Sequence, residues 1–335
     1  MRIIIATSLF PPEIEYVATY VRELAEHLKK DHQVQILAYA GNFEKIDGVK
    51  IFTINKKQPL FFRIFKYFIK LHKLAKQADI MYVQNSTATI LPAILVKRLT
   101  KKPLILNFIE DEVWKRARHN NLTQKSWENF LEQPDIDRRI GQIFNLQKQA
   151  LRQADKIIFS CQALAQAVAK SYSLPAEKTT VNYLPAEKIE LPLDQSIKKN
   201  HVLVFGQDFN LDTDQWDKDW KVVLANKQSL SKAELLYLLN ISELIVYNIR
   251  SENFDNFLVD CVLAGKKIVA NETNYAKEII GEQGVFVDFN NRQAVQERIE
   301  QLLDKKSKNQ AEDDRFIWEN HLRKLQDTFQ ASVKK

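Results

Sequence analysis

The sequence predicts an α/β protein built from two doubly wound, Rossmann-like halves that face each other across a cleft. Three observations predict it. Short β-branched runs alternate with segments of helical period over the first 185 residues. Periodicity then lapses over Pro185–Pro192, and a second alternation begins at Val202. The expected organisation is a first domain at 1–185, a linker at 186–199 and a second, shortened domain at 200–312. A helical segment at 313–335 is able to pack back toward the first domain.

In the first half, Ile3–Thr7 reads as a buried strand, because its apolar run contains Thr7 and soon meets Pro11-Pro12. The same brevity argues against a secretion signal. Glu15–Lys30 is a helix with Val17, Tyr20, Val21, Leu24 and Leu28 on one face. Strands follow at Gln33–Tyr39 and Lys50–Ile54, then a helix at Leu60–Lys76, a strand at Ile80–Val83, a helix at Ala88–Thr100 and a strand at Leu104–Phe108. A long helix covers Asp135–Gln153. Strand Lys156–Ser160, helix Ala163–Ser171 and strand Val181–Leu184 close the half. Such βαβ succession implies a parallel sheet covered by helices on both faces.

The second half repeats the scheme. Strands are expected at Val202–Phe205, Lys221–Ala225, Leu244–Tyr247, Lys267–Ala270 and Gly284–Asp288. Helices are expected at Ser231–Leu239, Asn256–Ala264, Tyr275–Ile280, Arg292–Leu303 and from about Asp314 onward.

Composition narrows the function. With 45% hydrophobic and 27% charged residues, the chain of 335 is a soluble globular protein. Only seven residues are glycine, and neither G-x-G-x-x-G nor G-x-x-x-x-G-K-[ST] occurs, which excludes the dinucleotide fingerprint and the P-loop. Cys161 and Cys261 lie far apart in apolar stretches, which suits a reducing cytoplasm and implies no disulfide framework. The six histidines are scattered, with none at ligand spacing from a cysteine, so no metal site is expected. The longest uncharged run, Ile80–Val96, is too short and too polar to span a bilayer.

Charge is unevenly divided. Residues 1–200 hold 31 basic and 20 acidic residues, whereas 201–335 hold 18 and 22. The first half therefore faces something anionic. Its basic residues gather on the helix at 60–76, where Arg63, Lys66, Lys70 and Lys73 recur at helical spacing and no acid appears before Asp79. Phe61, Phe62, Phe65, Phe68 and Ile69 supply apolar material to the same helix. Such a helix suits contact with an anionic membrane surface; it equally suits a packed helix with a solvated basic face. Nucleic acid is not an expected partner, since no recognition module accompanies the charge.

Two loops stand where ligands bind in open α/β sheets, outside the carboxyl ends of the strands. One is Leu9–Val17, after the first strand. The other, Tyr247–Asn256, precedes a helix and carries Glu252, with Asp260 eight residues on. Two carboxylates so placed can accept hydrogen bonds from polyhydroxylated groups, and the amides at the helix start face an anion. Acidic residues near a helix N-terminus also occur simply to complement its dipole.

Several of these segments together resemble the group 1, family 4-like glycosyltransferases. Pro11-Pro-Glu-Ile-Glu-Tyr-Val-Ala-Thr-Tyr-Val-Arg-Glu-Leu-Ala25 is similar to that family's P-P-E-x-G-G-V-A-x-Y-V-x-E-L-A line. Asp111-Glu-Val-Trp-Lys-Arg-Ala117 resembles its G-D-x-x-W-E-R-A segment, and Ala154–Ser160 its A-D-x-I-I-x-x-S strand. Ser251–Gly265 is similar to its E-x7-E region, and Lys267–Asp288 to the strand, P-E helix and G-x-x-V strand that follow, with Glu278 at the acidic position. The likeness covers most of the chain except 186–230 and implies the GT-B fold.

The resemblance also implies an activity: metal-independent transfer of a hexose-type sugar from a nucleotide-sugar donor, with no separate cofactor. The acceptor would be a cell-envelope or lipid-linked glycan, met at the cytoplasmic face of the membrane. Asp260 would hold the ribose, Glu252 the donor sugar, and the amides of Asp255, Asn256, Phe257 and Leu258 the diphosphate. Gly206, Gln207 and Lys218 stand in for the family's G-R-x4-K-G segment. Asp111 falls on the acceptor side.

The chain departs from the pattern where phosphate is expected. Glu15-Tyr16 replaces Gly-Gly, Asp255 replaces a glycine, and residues 208–219 bring five acids. Anions need cations and amides, so the alternative is a catalytically degenerate GT-B protein that binds a glycan, lipid or partner.

Overall fold

The computed structural model describes residues 1–13, 16–84, 86–109, 111–134, 136–186, 201–205, 221–225, 232–248, 256–303 and 313–333. It divides into two compact units. The first comprises Met1–Ser160, Leu164–Asn182 and Leu322–Lys335; the second comprises Cys161–Ala163 and Tyr183–His321.

The first unit is a seven-stranded sheet with order β3-β2-β1-β4-β5-β6-β7, every pairing parallel. Its strands are β1 (Arg2–Thr7), β2 (Gln33–Tyr39), β3 (Lys50–Ile54), β4 (Ile80–Gln84), β5 (Leu104–Phe108), β6 (Lys156–Phe159) and β7 (Thr179–Val181). β4 and β5 are buried along their whole length, as strands covered on both faces must be. The helices are α1 (Tyr16–Leu28), α2 (Leu60–Ala75), α3 (Thr87–Thr100), α4 (Glu112–His119), α5 (Trp127–Glu132), α6 (Arg138–Gln153) and α7 (Gln162–Tyr172). The expected elements are present within a few residues of their ends, and the last strand falls at 179–181 rather than 181–184. The structure adds α4 and α5, short helices that bury Val113, Trp114 and Ala117, and Phe130 and Leu131, at helical spacing. Local caps start them: Asp111 accepts from Trp114 N, and Ser126 from Asn129 N.

Buried tyrosines tie this unit together. Tyr67 of α2 donates to Leu37 O at 2.9 Å, and Tyr20 and Tyr82 share a hydroxyl hydrogen bond of 3.0 Å. The closing helix joins the same core, with the Phe329 ring 5.5 Å from that of Tyr82.

The second unit is a five-stranded parallel sheet of order β12-β11-β10-β8-β9. Its strands are β8 (His201–Phe205), β9 (Lys221–Ala225), β10 (Ser242–Tyr247), β11 (Lys267–Asn271) and β12 (Gly284–Val287). The helices are α8 (Lys232–Ile241), α9 (Asn256–Leu263), α10 (Asn274–Ile280), α11 (Arg292–Leu303) and α12 (Trp318–Val333), whose later part belongs to the first unit. Val202, Val204, Leu244, Val246 and Val269 pack with Val295 and Ile299 of α11 as its core.

Both sheets have a switch point, where successive connections leave a strand in opposite directions. In the first unit it lies between β1 and β4, and in the second between β8 and β10. Ligands in open α/β sheets bind outside the carboxyl ends of strands at such points.

Candidate functional site

At the first switch point the structure has a cavity of about 460 Å³. Ser8 and Leu9 follow β1, Gln84 ends β4, and Ser86 precedes α3. Ile109, after β5, and Val17 of α1 add apolar surface. The remaining wall is one side of α4: Glu112, Lys115, Arg116 and His119.

Gln84 is 2% exposed. Its Oε1 accepts from Asn107 Nδ2 at 2.9 Å, while its Nε2 has no partner. Ser86 stands at the N-cap of α3 without capping it. The amide of Thr87 donates instead to the Glu112 carboxylate, which also binds Arg116 Nη2 at 2.6 Å. Glu112 is therefore engaged by α3 and by its own helix.

Asp111 directs this wall from behind. It is 3% exposed, and its Oδ1 accepts from Trp114 N at 2.8 Å. Its Oδ2 accepts from Gln147 Nε2 and Tyr172 Oη, each at 2.7 Å. Burial pushes its pKa up to about 6 even though these hydrogen bonds favour the charged form. The residue expected on the acceptor side thus has both oxygens committed to positioning α4, and it is α4 that faces the cavity. Ser8, Gln84, Ser86, Lys115 and His119 were not among the residues expected at the site. Ser8, Gln84 and Ser86 had a positional signal, at strand ends or a helix start beside the switch point, whereas Lys115 and His119 line the cavity from within and at the end of α4.

On the second unit's side, Asp260 is half-buried in α9, and the Leu258 side chain is wholly buried, which leaves only its backbone for a ligand. Asn256 and Phe257 open α9, and their side chains lie outside the described residues. Gly206, Gln207, Lys218, Glu252 and Asp255 also lie outside them, as does Glu15. The end of β10 is described. There the backbone N–H of Asn248 donates to Phe205 O at 2.9 Å. Its side chain is 4% exposed with neither Nδ2 nor Oδ1 partnered. Glu278 is occupied within the same unit, accepting from Gln162 N at 2.6 Å, Ala163 N at 2.7 Å and Tyr183 Oη at 2.7 Å.

The four cations expected to meet a membrane fall within one sector of α2, about 80° wide, but differ in their surroundings. Arg63 donates to Lys56 O at 3.1 Å and lies 5.3 Å from the Tyr39 ring centre. Lys70 sits 3.7 Å from the Phe52 ring centre. These two lie at the edge of that sector nearest β2 and β3, where Tyr39 and Phe52 meet them, and Lys66 and Lys73 are exposed. With them on the outer side are Phe61, at 78% exposure, and Phe62, Phe65 and Ile69, each at least half exposed. Among the described residues no helix is long and apolar enough to cross a membrane.

A parallel sheet with a ligand-sized cavity at its switch point fits many enzymes, and comparison decides among them. The sequence profile of Glycosyltransferase Family 4 matches residues 17–185, about half of the chain. The chain belongs to glycosyltransferase family 4. No curated protein matches its sequence. Among solved structures, sucrose-phosphate synthase of Thermosynechococcus elongatus superposes with a TM-score of 0.70 at 13% identity, over 100% of both chains. A glycosyltransferase from Rickettsia africae gives 0.69 at 13% identity, over 100% of this chain and 99% of the other. HepE from Anabaena, solved with UDP-glucose, gives 0.63 at 15% identity, over 100% and 98%. At such identities the likeness shows the fold alone. It is the two-domain GT-B fold of family 4, as the sequence implied.

Proposed function

We propose that this family 4 protein transfers a hexose-type sugar from a nucleotide-sugar donor to a glycan or lipid-linked acceptor at the cytoplasmic face of a membrane, without a metal ion. The observation that carries the reading is the cavity at the β1/β4 switch point, where the polar residues Ser8, Gln84 and Ser86 stand beside the apolar Leu9, Val17 and Ile109, a mixture suited to a sugar ring.

The donor belongs to the second unit. Asn248 offers an unpaired donor and an unpaired acceptor at the β8/β10 switch point, a combination suited to hydroxyl groups. Asp260 follows it on α9 and is assigned to the ribose, with Glu252 at the donor sugar. HepE, of the same fold, was solved with UDP-glucose, and a nucleotide-sugar suits this chain equally. The acceptor belongs to the first unit, where the outer side of α2 offers four large apolar residues and two lysines to anionic lipid.

Calorimetric titration with a panel of nucleotide-sugars tests the reading. Saturable binding that Asp260→Ala weakens at least tenfold, and that a chelator leaves unchanged, is expected. Failure of every nucleotide-sugar to bind would leave the degenerate binding protein as the better account.

A further inference from the structure

We infer that Lys56 is a positioning residue: it clamps the Glu13 carboxylate and so fixes the loop between β1 and α1 along the cavity of the first unit. The inference rests on the transferase reading, to which it adds a residue that acts through Glu13 rather than on a ligand.

The loop has few ties of its own. Residues 8–13 read Ser-Leu-Phe-Pro-Pro-Glu, and the two prolines bring no backbone N–H. Thr7 Oγ1 closes the near limb, donating to Leu9 O at 2.9 Å and accepting from Leu9 N at 3.2 Å. The Phe10 side chain is wholly buried, and Phe10 O accepts from Glu13 N at 3.3 Å. Pro11 O accepts from Glu44 N, also at 3.3 Å. Glu13 is the one charged side chain of residues 8–13, and both its oxygens accept from Lys56 Nζ at 2.5 Å. The clamp therefore stands between Ser8 and Leu9, which line the cavity on one side of it, and Val17 of α1, which lines it on the other.

Lys56 is itself held by the body of the unit. It follows β3, and its carbonyl accepts from Arg63 Nη1 at 3.1 Å. Arg63 lies 5.3 Å from the Tyr39 ring centre. Tyr39 stacks on Tyr67 with ring centres 4.4 Å apart, and its hydroxyl donates to Ala88 O at 3.1 Å. The ammonium thus takes its place from β2, α2 and α3, whereas the carboxylate belongs to a loop beyond the sheet. The ion pair passes the position of the first to the second. Stability is not its main product: the two side chains are 35% and 31% exposed, and a pair so open to water adds little to the folded state. Position matters more, since a shift of about 1 Å in a site can cost about a hundredfold in rate.

Hydrogen exchange of the full chain, read at the Leu9, Glu13 and Glu44 amides, tests the clamp. Lys56→Met should speed exchange there about two- to fivefold, the range of a part-exposed ion pair, with the melting temperature and the exchange of β1, β2 and α2 unchanged. Turnover of the best-binding nucleotide-sugar, read as nucleoside diphosphate released, should fall by at least the same factor. Its dissociation constant should stay within about twofold, because the donor belongs to the second unit. Lys56→Arg keeps the charge and should restore both quantities, as should Lys56→Glu combined with Glu13→Lys. Unchanged exchange in Lys56→Met, a swapped pair no tighter than the single variants, or a loosened loop with undiminished turnover would overturn the inference. A lowered melting temperature with exchange raised throughout the unit would overturn it equally, by showing a pair that only stabilises the fold. If the wild type neither binds nor turns over any nucleotide-sugar, the transferase reading fails, and exchange at the three amides still decides whether Lys56 fixes the loop.

Discussion

Tyr172 Oη donates to Asp111 Oδ2 across 2.7 Å, joining the end of α7 to the start of α4 in the interior of the first unit. Gln147 bridges the pair, reaching the carboxylate at 2.7 Å and the tyrosine oxygen at 2.9 Å. The Tyr172 hydroxyl is held protonated by burial and by the carboxylate beside it, so it serves as a donor throughout the physiological range. The cavity-lining groups of α4 inherit their position from this buried network.

The network makes stability depend on pH with a defined sign. Burial raises the folded pKa of Asp111 from 3.8 to about 6, so the folded state holds a proton that the unfolded chain releases. The resulting stabilisation is complete below the lower value and lost as pH rises through the upper one. Asp111→Asn cannot titrate. Between about pH 4 and pH 7, wild type should lose on the order of 3 kcal/mol relative to this variant. Urea denaturation across that range measures the difference, and parallel stability curves for the two proteins would show that Asp111 ionises as it does in water.

Membrane binding should follow the outer side of α2. Lys66→Glu with Lys73→Glu should weaken flotation with anionic vesicles by more than tenfold, since each exposed cation contributes about 1 kcal/mol near anionic lipid. Phe61→Ser with Phe65→Ser should weaken it further and also on neutral vesicles. Arg63→Gln should act differently: it loses its contacts to Tyr39 and Lys56 O, so thermal stability falls while vesicle binding changes little. If Arg63→Gln releases the protein from vesicles as fully as the lysine pair does, the assignment of faces is wrong.

The fold was legible because apolar runs report burial directly. Ile3–Thr7, Gln33–Tyr39 and Leu104–Phe108 stand out in the sequence and emerge as β1, β2 and β5. Glycine placement was legible too. Gly281 adopts φ +58°, and a Cβ at Gly284 would come within 2.4 Å of Ile280 Cγ2, so both positions demand glycine. What remained hidden was direction and pairing. Helical spacing grouped Arg63 and Lys70 with Lys66 and Lys73, yet aromatic rings on neighbouring strands draw the first two inward. The likeness singled out Asp111, but its neighbours on α4 are the ones that line the cavity. Gln84 carries no local signal, because its unpaired amide arises only when Asn107 of the adjacent strand takes the other end.

Glu278 illustrates a family-matched acid with a structural task. Its carboxylate collects two backbone amides at the start of α7 and the Tyr183 hydroxyl. Burial and the neighbouring carboxylate push Tyr183 up to about 12, which keeps it protonated as the donor. Glu278→Gln keeps one acceptor oxygen and turns an NH₂ toward donors, so it should lower stability by roughly 1–3 kcal/mol. Tyr183→Phe, which removes one donor of the three, should cost less. Thermal unfolding of the two variants gives the order, and a Glu278→Gln protein as stable as wild type would remove the structural role.

Asn248 offers the sharpest separation between fold and ligand. A buried carboxamide with no hydrogen-bond partner destabilises the free protein, because its desolvation is uncompensated. Asn248→Leu has nearly the same volume and removes both orphaned atoms, so the free protein should melt at the same temperature or higher. The same change should cost nucleotide-sugar affinity at least tenfold if the amide is satisfied by donor hydroxyls at the β8/β10 switch point. Melting temperature and donor titration on one preparation read both quantities. A variant that melts lower while binding donor normally would show that Asn248 serves the sheet and not the substrate.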